Sequence, residues 1–214
     1  MVTDPTSGKA RIGSMYTDAV LGGGILFDLV ASGRLALDGE GRKARVVVVD
    51  RSPVLDPAIE QAFAQIRSKG RQSPQNVVTK LGRKSKQHLY ASLATKGVVQ
   101  PTTKKRMGLF PSTRYTILDT VRRDDLLVRV RASLLHDQPA DAESGPLIGL
   151  LSAADLTKLM VDKPERKQAK ARAKVISEGD WASEGVRKAI QAAQSAISTG
   201  IIVTSIVTTA GGSS

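Results

Sequence analysis

The sequence predicts a mainly α-helical fold: a single-domain helical bundle in which amphipathic helices surround a buried central helix and a β-hairpin protrudes. Apolar residues recur at helical spacing in several segments. The segment from Pro146 to Met160 is apolar nearly all round, which is typical of a helix buried on most sides. Two β-branched runs, 98–99 and 115–117, flank a loop and predict the hairpin. With 214 residues the chain is long enough for one sizeable core, so we expect a single domain over 1–214.

The first predicted helix runs from Met15 to Ala31 and contains the glycine run Gly22 to Gly24. A glycine inside a helix costs about 1 kcal/mol relative to alanine, so a close partner must justify the run. We expect close packing of another helix rather than a phosphate-binding loop, because no GxGxxG or lysine-serine context surrounds the glycines. Gly33 ends the helix, and strand-like runs at 34–37 and 45–49 predict a first hairpin.

A helix opened by Asp56 and closed by Gly70 separates this unit from a second one of the same kind. Ser73 is a candidate N-cap and Gly97 a helix stop, and they predict one continuous helix between them. The loop at the tip of the hairpin that follows is expected to span 104–111. Two units that each consist of a helix, a glycine and a hairpin suggest an internal structural echo.

Two further amphipathic helices are predicted in the second half of the chain, at 121–135 and 183–199. The segment 164–176 is highly charged, and we expect it to present a solvated face. The glycine- and serine-rich end, 211–214, is expected to be frayed.

Composition restricts the class of function. The formal net charge is +12 and the pI is about 10.2, which indicates an anionic partner: nucleic acid, anionic lipid or an acidic protein. There is no cysteine, and His88 and His136 have no ligand spacing around them, so we expect neither a metal nor another cofactor. GxSxG, HExxH and Walker A motifs are absent, so we expect a binding protein rather than an enzyme. No run approaches the roughly 18 apolar residues of a membrane span, so the protein is expected in the cytoplasm with peripheral membrane contact.

Basic side chains from two neighbouring elements form the candidate site. Three lie on the helix before the second hairpin: Arg83, Lys84 and Lys86. The hairpin tip adds three cations and three apolar side chains: Lys104, Lys105, Arg106, Met107, Leu109 and Phe110. Positive charge beside exposed apolar side chains is what a surface needs to sit on an anionic membrane. We therefore predict lipid head-group binding by the helix and membrane contact by the hairpin.

The same elements fit other partners. A basic helix, a glycine and a basic hairpin also describe a winged helix, so a DNA-binding protein is the alternative. A DNA-binding wing gains little from Met107, Leu109 and Phe110, whereas a membrane interface gains free energy from burying them. The apolar tip could instead fold back onto the domain's own core, or form a homo-oligomer contact.

Several motifs, in their order along the chain, resemble the Golgi phosphoprotein 3 family. The most specific are Gly22-Gly-Gly-Ile-Leu with the Asp-Leu and Gly-Arg that follow it, and Leu109-Phe-Pro-Ser-Thr-Arg-Tyr. Ala94-Thr-Lys-Gly-Val-Val and Leu147-Ile-Gly-Leu-Leu-Ser-Ala-Ala-Asp lie where the family's order puts them, so the likeness extends nearly end to end. The alanine- and arginine-rich composition without cysteine favours a bacterial homologue.

The resemblance implies an all-α bundle with a hairpin that touches the membrane, and a basic pocket that binds phosphatidylinositol 4-phosphate. Eukaryotic members lie on the cytosolic face of the Golgi and bind cytosolic tails of glycosyltransferases, so the resemblance also implies a protein cargo. Two pocket arginines of the family fall on Arg83 and Lys86. A third falls on Gly22 and the pocket tryptophan on Gly13, so we expect weaker selectivity for that one head group. The family has one more helix before the segment where this chain begins, and we expect a truncated start.

Overall fold

The computed structural model describes residues 3–5, 7–9, 11–39, 41–83, 85–106, 110–178, 188 and 191–199. This part of the chain is mainly α-helical with two small antiparallel sheets, which confirms the predicted fold class. The predictions for Lys84, Met107, Leu109 and the tail at 211–214 fall outside the described residues.

The helices, in chain order, are α1 (Ser14–Ala31), α2 (Pro57–Ala64), α3 (Pro74–Gly82), α4 (Ser85–Thr95), α5 (Thr120–Leu135), α6 (Ser144–Ala153) and α7 (Arg166–Glu178). Residues 191–199 are also helical. The strands are β1 (Leu35–Asp38), β2 (Arg45–Val48), β3 (Val99–Arg106) and β4 (Phe110–Ile117). β1 pairs antiparallel with β2 to form the first hairpin, and β3 pairs antiparallel with β4 to form the second.

Helix α6 lies at the centre of the bundle, as its apolar sequence predicts. Its side chains Ile148 and Leu151 are almost fully buried, and it contacts both α1 and α7. The helix ends at Ala153, however, and does not reach Met160. Asp155 adopts the left-handed conformation with φ 52°, and the N–H of the next residue donates to the Leu151 carbonyl at 2.8 Å. Aspartate tolerates this conformation better than most residues, so it ends the helix without the glycine that marks other helix ends in the sequence.

The glycine run in α1 is a helix-packing surface, as predicted. A Cβ added at Gly22 would lie 2.1 Å from a carbonyl oxygen of α3, and one added at Gly82 would lie 2.0 Å from the carbonyl oxygen of Asp18. Glycine at both positions allows the two backbones to touch in this way. Gly23 faces another side, where an added Cβ would lie 2.8 Å from the Leu150 side chain. Helix α1 therefore packs between α3 and the central helix.

The predicted continuous helix before the second hairpin is wrong, because the chain breaks there into α3 and α4. Ser73 caps the start of α3, as predicted, but α3 ends at Gly82 and Arg83 is extended with φ −62° and ψ 121°. The buried Ser85 hydroxyl then donates back to the carbonyl of Leu81. Glycine is a weak helix former and admits α1 closely, so this packing outweighs the apolar periodicity on which the prediction rested.

The strands of the second hairpin are longer than the β-branched runs predict, and the predicted loop at 104–111 is wrong. The three cations of that loop belong to β3, and its last two residues belong to β4. The register runs from Val99 opposite Ile117 at the base to Arg106 opposite Phe110 at the outer end. Lysine, arginine and proline have low strand propensity, so the sequence conceals a pairing that the partner strand stabilises.

The internal echo predicted from the two helix–glycine–hairpin units is confirmed. Gly33 and Gly97 both adopt the left-handed conformation, with φ 71° and 70°. In each unit the N–H of the next residue donates to a carbonyl five residues earlier, at 2.8 Å after α1 and 2.9 Å after α4. Both helices therefore end in the same capping motif and turn the chain into a hairpin.

Candidate functional site

The break between α3 and α4 carries two of the predicted site residues and lies against α1. Arg83 directly follows Gly82, whose backbone touches α1 at Asp18, and the Arg83 residue is exposed. Lys86 lies in the first turn of α4, is partly exposed, and belongs to a helix that also contacts α1. The structure thus brings Arg83 and Lys86 to one junction of three helices. We call Asp18, Arg83 and Lys86 together the junction site.

An acidic residue of α1 lies next to these cations: the backbone carbonyl of Asp18 packs on Gly82, the residue before Arg83. Partial burial raises the pKa of Asp18, and the positive charge of Lys86 lowers it by a smaller amount. No ion pair within 4.0 Å joins Asp18 to Arg83 or Lys86, all three of which are described residues. Sequence reasoning missed Asp18, because its place in the site follows only from the crossing of α1 and α3. The sequence signal for that crossing is the glycine pair, Gly22 and Gly82.

Gly13 and Gly22, the two positions at which the resemblance implies that pocket side chains are missing, differ in their surroundings. At Gly22 any side chain would collide with the α3 backbone, as the 2.1 Å distance to an added Cβ shows. An arginine cannot be placed there without separating the two helices. Gly13 immediately precedes α1, and an added Cβ would lie 3.9 Å from the ring of Tyr16. A larger residue would fit at Gly13, so only the loss at Gly22 is fixed by packing.

The second hairpin turns back along α4. Leu93 of α4 and Ile117 at the base of β4 line one groove. One turn earlier in α4, the ring of Tyr90 lies 4.2 Å from the ring of Tyr115, which is two residues further out along the hairpin. The Tyr90 hydroxyl also hydrogen-bonds the Thr3 hydroxyl at 2.5 Å. The outer end of the hairpin is therefore directed toward the first turn of α4, where the junction site lies.

The lengths of the two elements decide how far the hairpin extends. From Tyr90 back to Ser85 is about 7.5 Å at the helical rise of 1.5 Å per residue. From Tyr115 out to Phe110 is about 17 Å at the strand rise of about 3.4 Å per residue. The hairpin therefore reaches roughly 9 Å beyond the start of α4, if both elements keep their directions.

Exposure along the hairpin changes from base to outer end. Val99 is buried and residues 100–103 are exposed, so β3 leaves the body of the protein directly after its first residue. On β4 residues 114–117 are half-buried and Thr113 is exposed, so the pair as a whole is exposed at the rung of Thr103 and Thr113. The register places Lys104, Lys105, Arg106 and Phe110 on the outermost rungs of the strands. We call residues 104–110 the crest of the hairpin. The side chains of 104–112 lie outside what the structure describes, so membrane contact by the crest stays a prediction.

No helix within the described residues is long and apolar enough to cross a bilayer. No match to the chain is found among curated proteins. The model of the Golgi phosphoprotein 3 (GPP34) family matches residues 1–193, which is most of the 214-residue chain. The chain therefore belongs to the Golgi phosphoprotein 3 family.

Proposed function

We propose that this protein is a peripheral membrane protein that binds the head groups of anionic phospholipids, of the phosphatidylinositol 4-phosphate type by family resemblance. In this proposal Arg83 and Lys86 hold the head group, and the crest of the second hairpin dips into the lipid. One observation supports it above the others: the hairpin is directed toward the start of α4, where Lys86 lies in the first turn and Arg83 just precedes the helix. Both elements can then meet one flat surface.

The magnitudes are sufficient for reversible binding. A lysine or arginine near an anionic leaflet contributes about 1 kcal/mol. A large apolar side chain contributes roughly 1.5–3 kcal/mol when fully buried, and less when it inserts partly. The junction site offers two cations, and the crest offers three cations with Met107, Leu109 and Phe110. Together they can hold the protein on a bilayer without a lipid anchor.

We infer a binding role rather than a catalytic one, in keeping with a family that is not known as an enzyme family. A protein cargo and a homo-oligomer formed through the hairpin crest remain predictions. Either partner is compatible with membrane binding, because the junction site and the crest occupy different elements.

Co-sedimentation with vesicles tests the proposal. The wild-type protein is expected to bind phosphatidylcholine vesicles that contain anionic lipid, and to bind pure phosphatidylcholine vesicles weakly. The double variant Arg83→Ala/Lys86→Ala should bind the anionic vesicles about tenfold or more weakly, because each cation contributes about 1 kcal/mol. The matched control is Arg42→Ala/Lys43→Ala, which removes the same charge from exposed residues of the first hairpin's turn. This control should retain near wild-type binding.

Two results would contradict the proposal. Equal binding to neutral and anionic vesicles would exclude head-group recognition. Equal weakening in both double variants would show that binding depends only on the net charge of the protein. Duplex DNA is measured side by side, because a winged-helix role predicts tight duplex binding that falls steeply with salt. Tight DNA binding without vesicle binding would replace the lipid proposal with the DNA alternative.

A further inference from the structure

A cavity lies where the turn of the first hairpin, the start of α3 and the helix at 191–199 meet. Its volume is about 690 Å³, and small-molecule sites occupy roughly 300–1,000 Å³. The three elements meet without filling this space because small residues line much of it: Gly39, Gly41, Ala44, Ala192 and Ala196. The cavity is separate from the junction site, which lies at the other end of α3, roughly 13 Å away along the helix axis.

The polar side chains of the helix at 191–199 form two sets. One set donates to carbonyls of α6, at 3.1 Å from Gln194 and 3.3 Å from Ser198. The other set lines the cavity, is exposed, and has no hydrogen-bond partner within the described part of the chain: Gln191, Ser195 and Thr199. The first set holds the helix on the core, and the second is available to a ligand that enters from solvent.

The charge on the cavity wall is positive. Arg42 and Lys188 line it, and none of the described residues that line it is acidic. The Arg42 guanidinium makes no hydrogen bond or ion pair to any described residue. Helix α3 also begins at this wall, where the backbone N–H of Gln75 has no acceptor among the described residues. An arginine and the amino end of a helix both favour an anion with several oxygens, such as a phosphate group.

We propose that this cavity binds a soluble phosphate ester with a hydroxyl-bearing body, of the sugar phosphate type. Arg42 and the start of α3 hold the phosphate group, and Gln191 and Ser195 exchange hydrogen bonds with hydroxyl groups of the body. Hydroxyl groups donate and accept, and so do the amide of Gln191 and the hydroxyl of Ser195. The ligand is assigned to solution because the cavity lies away from both the junction site and the crest. The inference goes beyond the proposed function and does not depend on it.

Isothermal titration calorimetry on the full chain tests the site, with glucose 6-phosphate as the probe. Glucose and inorganic phosphate are the matched ligands, since one carries only the body and the other only the phosphate. The wild-type protein is expected to bind glucose 6-phosphate saturably. Inorganic phosphate should bind about tenfold more weakly, because it leaves the hydrogen bonds to Gln191 and Ser195 unmade, and glucose should show no saturable binding.

Two pairs of variants place the ligand in the cavity. Arg42→Ala should weaken binding of glucose 6-phosphate about tenfold or more, the size of a hydrogen bond to a charged group. Its control is Lys43→Ala, which removes the same charge from an exposed neighbour that does not line the cavity and should keep the wild-type affinity. Ser195→Ala should weaken binding about two- to tenfold. Ser198→Ala should not weaken it, because that hydroxyl faces α6. Circular dichroism checks that each variant is folded.

The results that would overturn the inference are distinct. No saturable binding of either glucose 6-phosphate or inorganic phosphate would exclude the site. Equal affinity for the two would exclude a role for the hydroxyl-bearing body. Equal weakening in Arg42→Ala and Lys43→Ala would show that only net charge attracts the phosphate.

A lipid source of the same phosphate group is tested with phosphatidylcholine vesicles that contain phosphatidic acid, which is also a phosphate monoester. Arg42→Ala and Lys43→Ala are expected to bind these vesicles alike. Weaker vesicle binding by Arg42→Ala alone would assign the cavity to a membrane lipid and overturn the soluble ligand. The proposed function is judged separately, because Arg83 and Lys86 do not line this cavity.

Discussion

Both hairpins close on the residue that follows the helix-ending glycine. In the first hairpin the carbonyl of Arg34 accepts hydrogen bonds from the N–H groups of Val49 and Asp50, at 3.0 and 3.3 Å. In the second the carbonyl of Val98 accepts them from the two residues after β4, at 2.9 and 3.3 Å. The first strand residue of each unit is buried: Leu35 in one and Val99 in the other. The two hairpins therefore start from bases with the same hydrogen-bonding pattern.

The two hairpins differ in length and in what covers them. The strands of the first hairpin have four residues each, and those of the second have eight. Val46 of the first hairpin is buried, and its backbone N–H and carbonyl pair with Gln72 at 2.8 and 3.1 Å. In the second hairpin residues 100–103 of β3 are exposed, whereas residues 114–117 of β4 are half-buried and Tyr115 packs on Tyr90. The comparison indicates that the base attaches each hairpin to the body of the protein. The length of the strands then decides whether the hairpin packs into the core or extends beyond it.

Shortening the strands of the second hairpin from eight residues to five, close to the four of the first, is expected to have the largest effect. Thr103 lies opposite Thr113, so an Asn-Gly turn in place of 104–112 closes the shortened ladder. Loss of three cations alone should weaken binding to anionic vesicles by about 3 kcal/mol, over a hundredfold. The free energy of unfolding, measured in urea, should stay near the wild-type value because Thr103 and Thr113, the rung at which the new turn would close, are both exposed.

A full-length control separates charge from apolar contact. Serine in place of Met107, Leu109 and Phe110 keeps all three cations and should give an intermediate affinity. If the shortened protein binds vesicles like wild type, the extra length of the second hairpin has another purpose and the comparison fails.

Replacing Gly33 or Gly97 by alanine should lower the free energy of unfolding by the same amount in the two units. Gly33 and Gly97 have nearly equal positive φ angles, and an added Cβ at either meets nothing within 4 Å. Each substitution should therefore lower the free energy of unfolding by about 1–2 kcal/mol, the cost of a left-handed L-residue. Urea unfolding of the two single variants provides the measurement. A difference above about 1 kcal/mol between them would show that the two bases are not equivalent.

The smallest effect is expected at the aspartate that closes the first hairpin. The N–H of Ser52 donates to Asp50 at 2.8 Å and, with Arg34 also paired to it, holds the pKa of Asp50 below its ordinary value of 3.8. A carboxyl group with a lowered folded-state pKa stabilises the fold above the ordinary pKa and loses this contribution as the pH falls below it. Asp50→Asn should therefore be less stable than wild type at pH 7, and the difference should disappear as the pH falls below 3.8.

The equivalent position in the second hairpin serves as the control for that pH series. Asp119 accepts a hydrogen bond from the N–H of Arg122 at 3.1 Å and caps α5. Asparagine caps helices about as well as aspartate, so Asp119→Asn should change stability less than Asp50→Asn at pH 7. A larger loss of stability in Asp119→Asn than in Asp50→Asn at pH 7 would contradict this prediction.

Local signals in the sequence predicted the parts of the fold that depend on neighbours in the chain. Ser73 and Gly97 marked helix ends because capping is decided by the backbone around a single residue. The glycine run in α1 predicted close packing, because glycines in a helix have a cost that a contact must offset.

Features that depend on two distant segments could not be predicted. The end of α3 at Gly82 requires the approach of α1, which the apolar spacing of the segment does not contain. Asp18 joins Arg83 and Lys86 only because two helices cross, so the candidate site was predicted with its cations and without its acid. The length of the second hairpin was hidden because each strand is stabilised by the other rather than by its own residue types.

The contact between Gly22 and Gly82 bears on the entropy lost on the proposed binding and on its association rate. Where two backbones touch, the relative positions of Asp18, Arg83 and Lys86 are set by the fold before any ligand arrives. In the proposed binding mode, Arg83 and Lys86 would lose mainly side-chain freedom, at about 0.5–1.5 kcal/mol for each long side chain. For the proposed membrane binding, this predicts rapid association, because the backbone around Gly22 and Gly82 needs no rearrangement first.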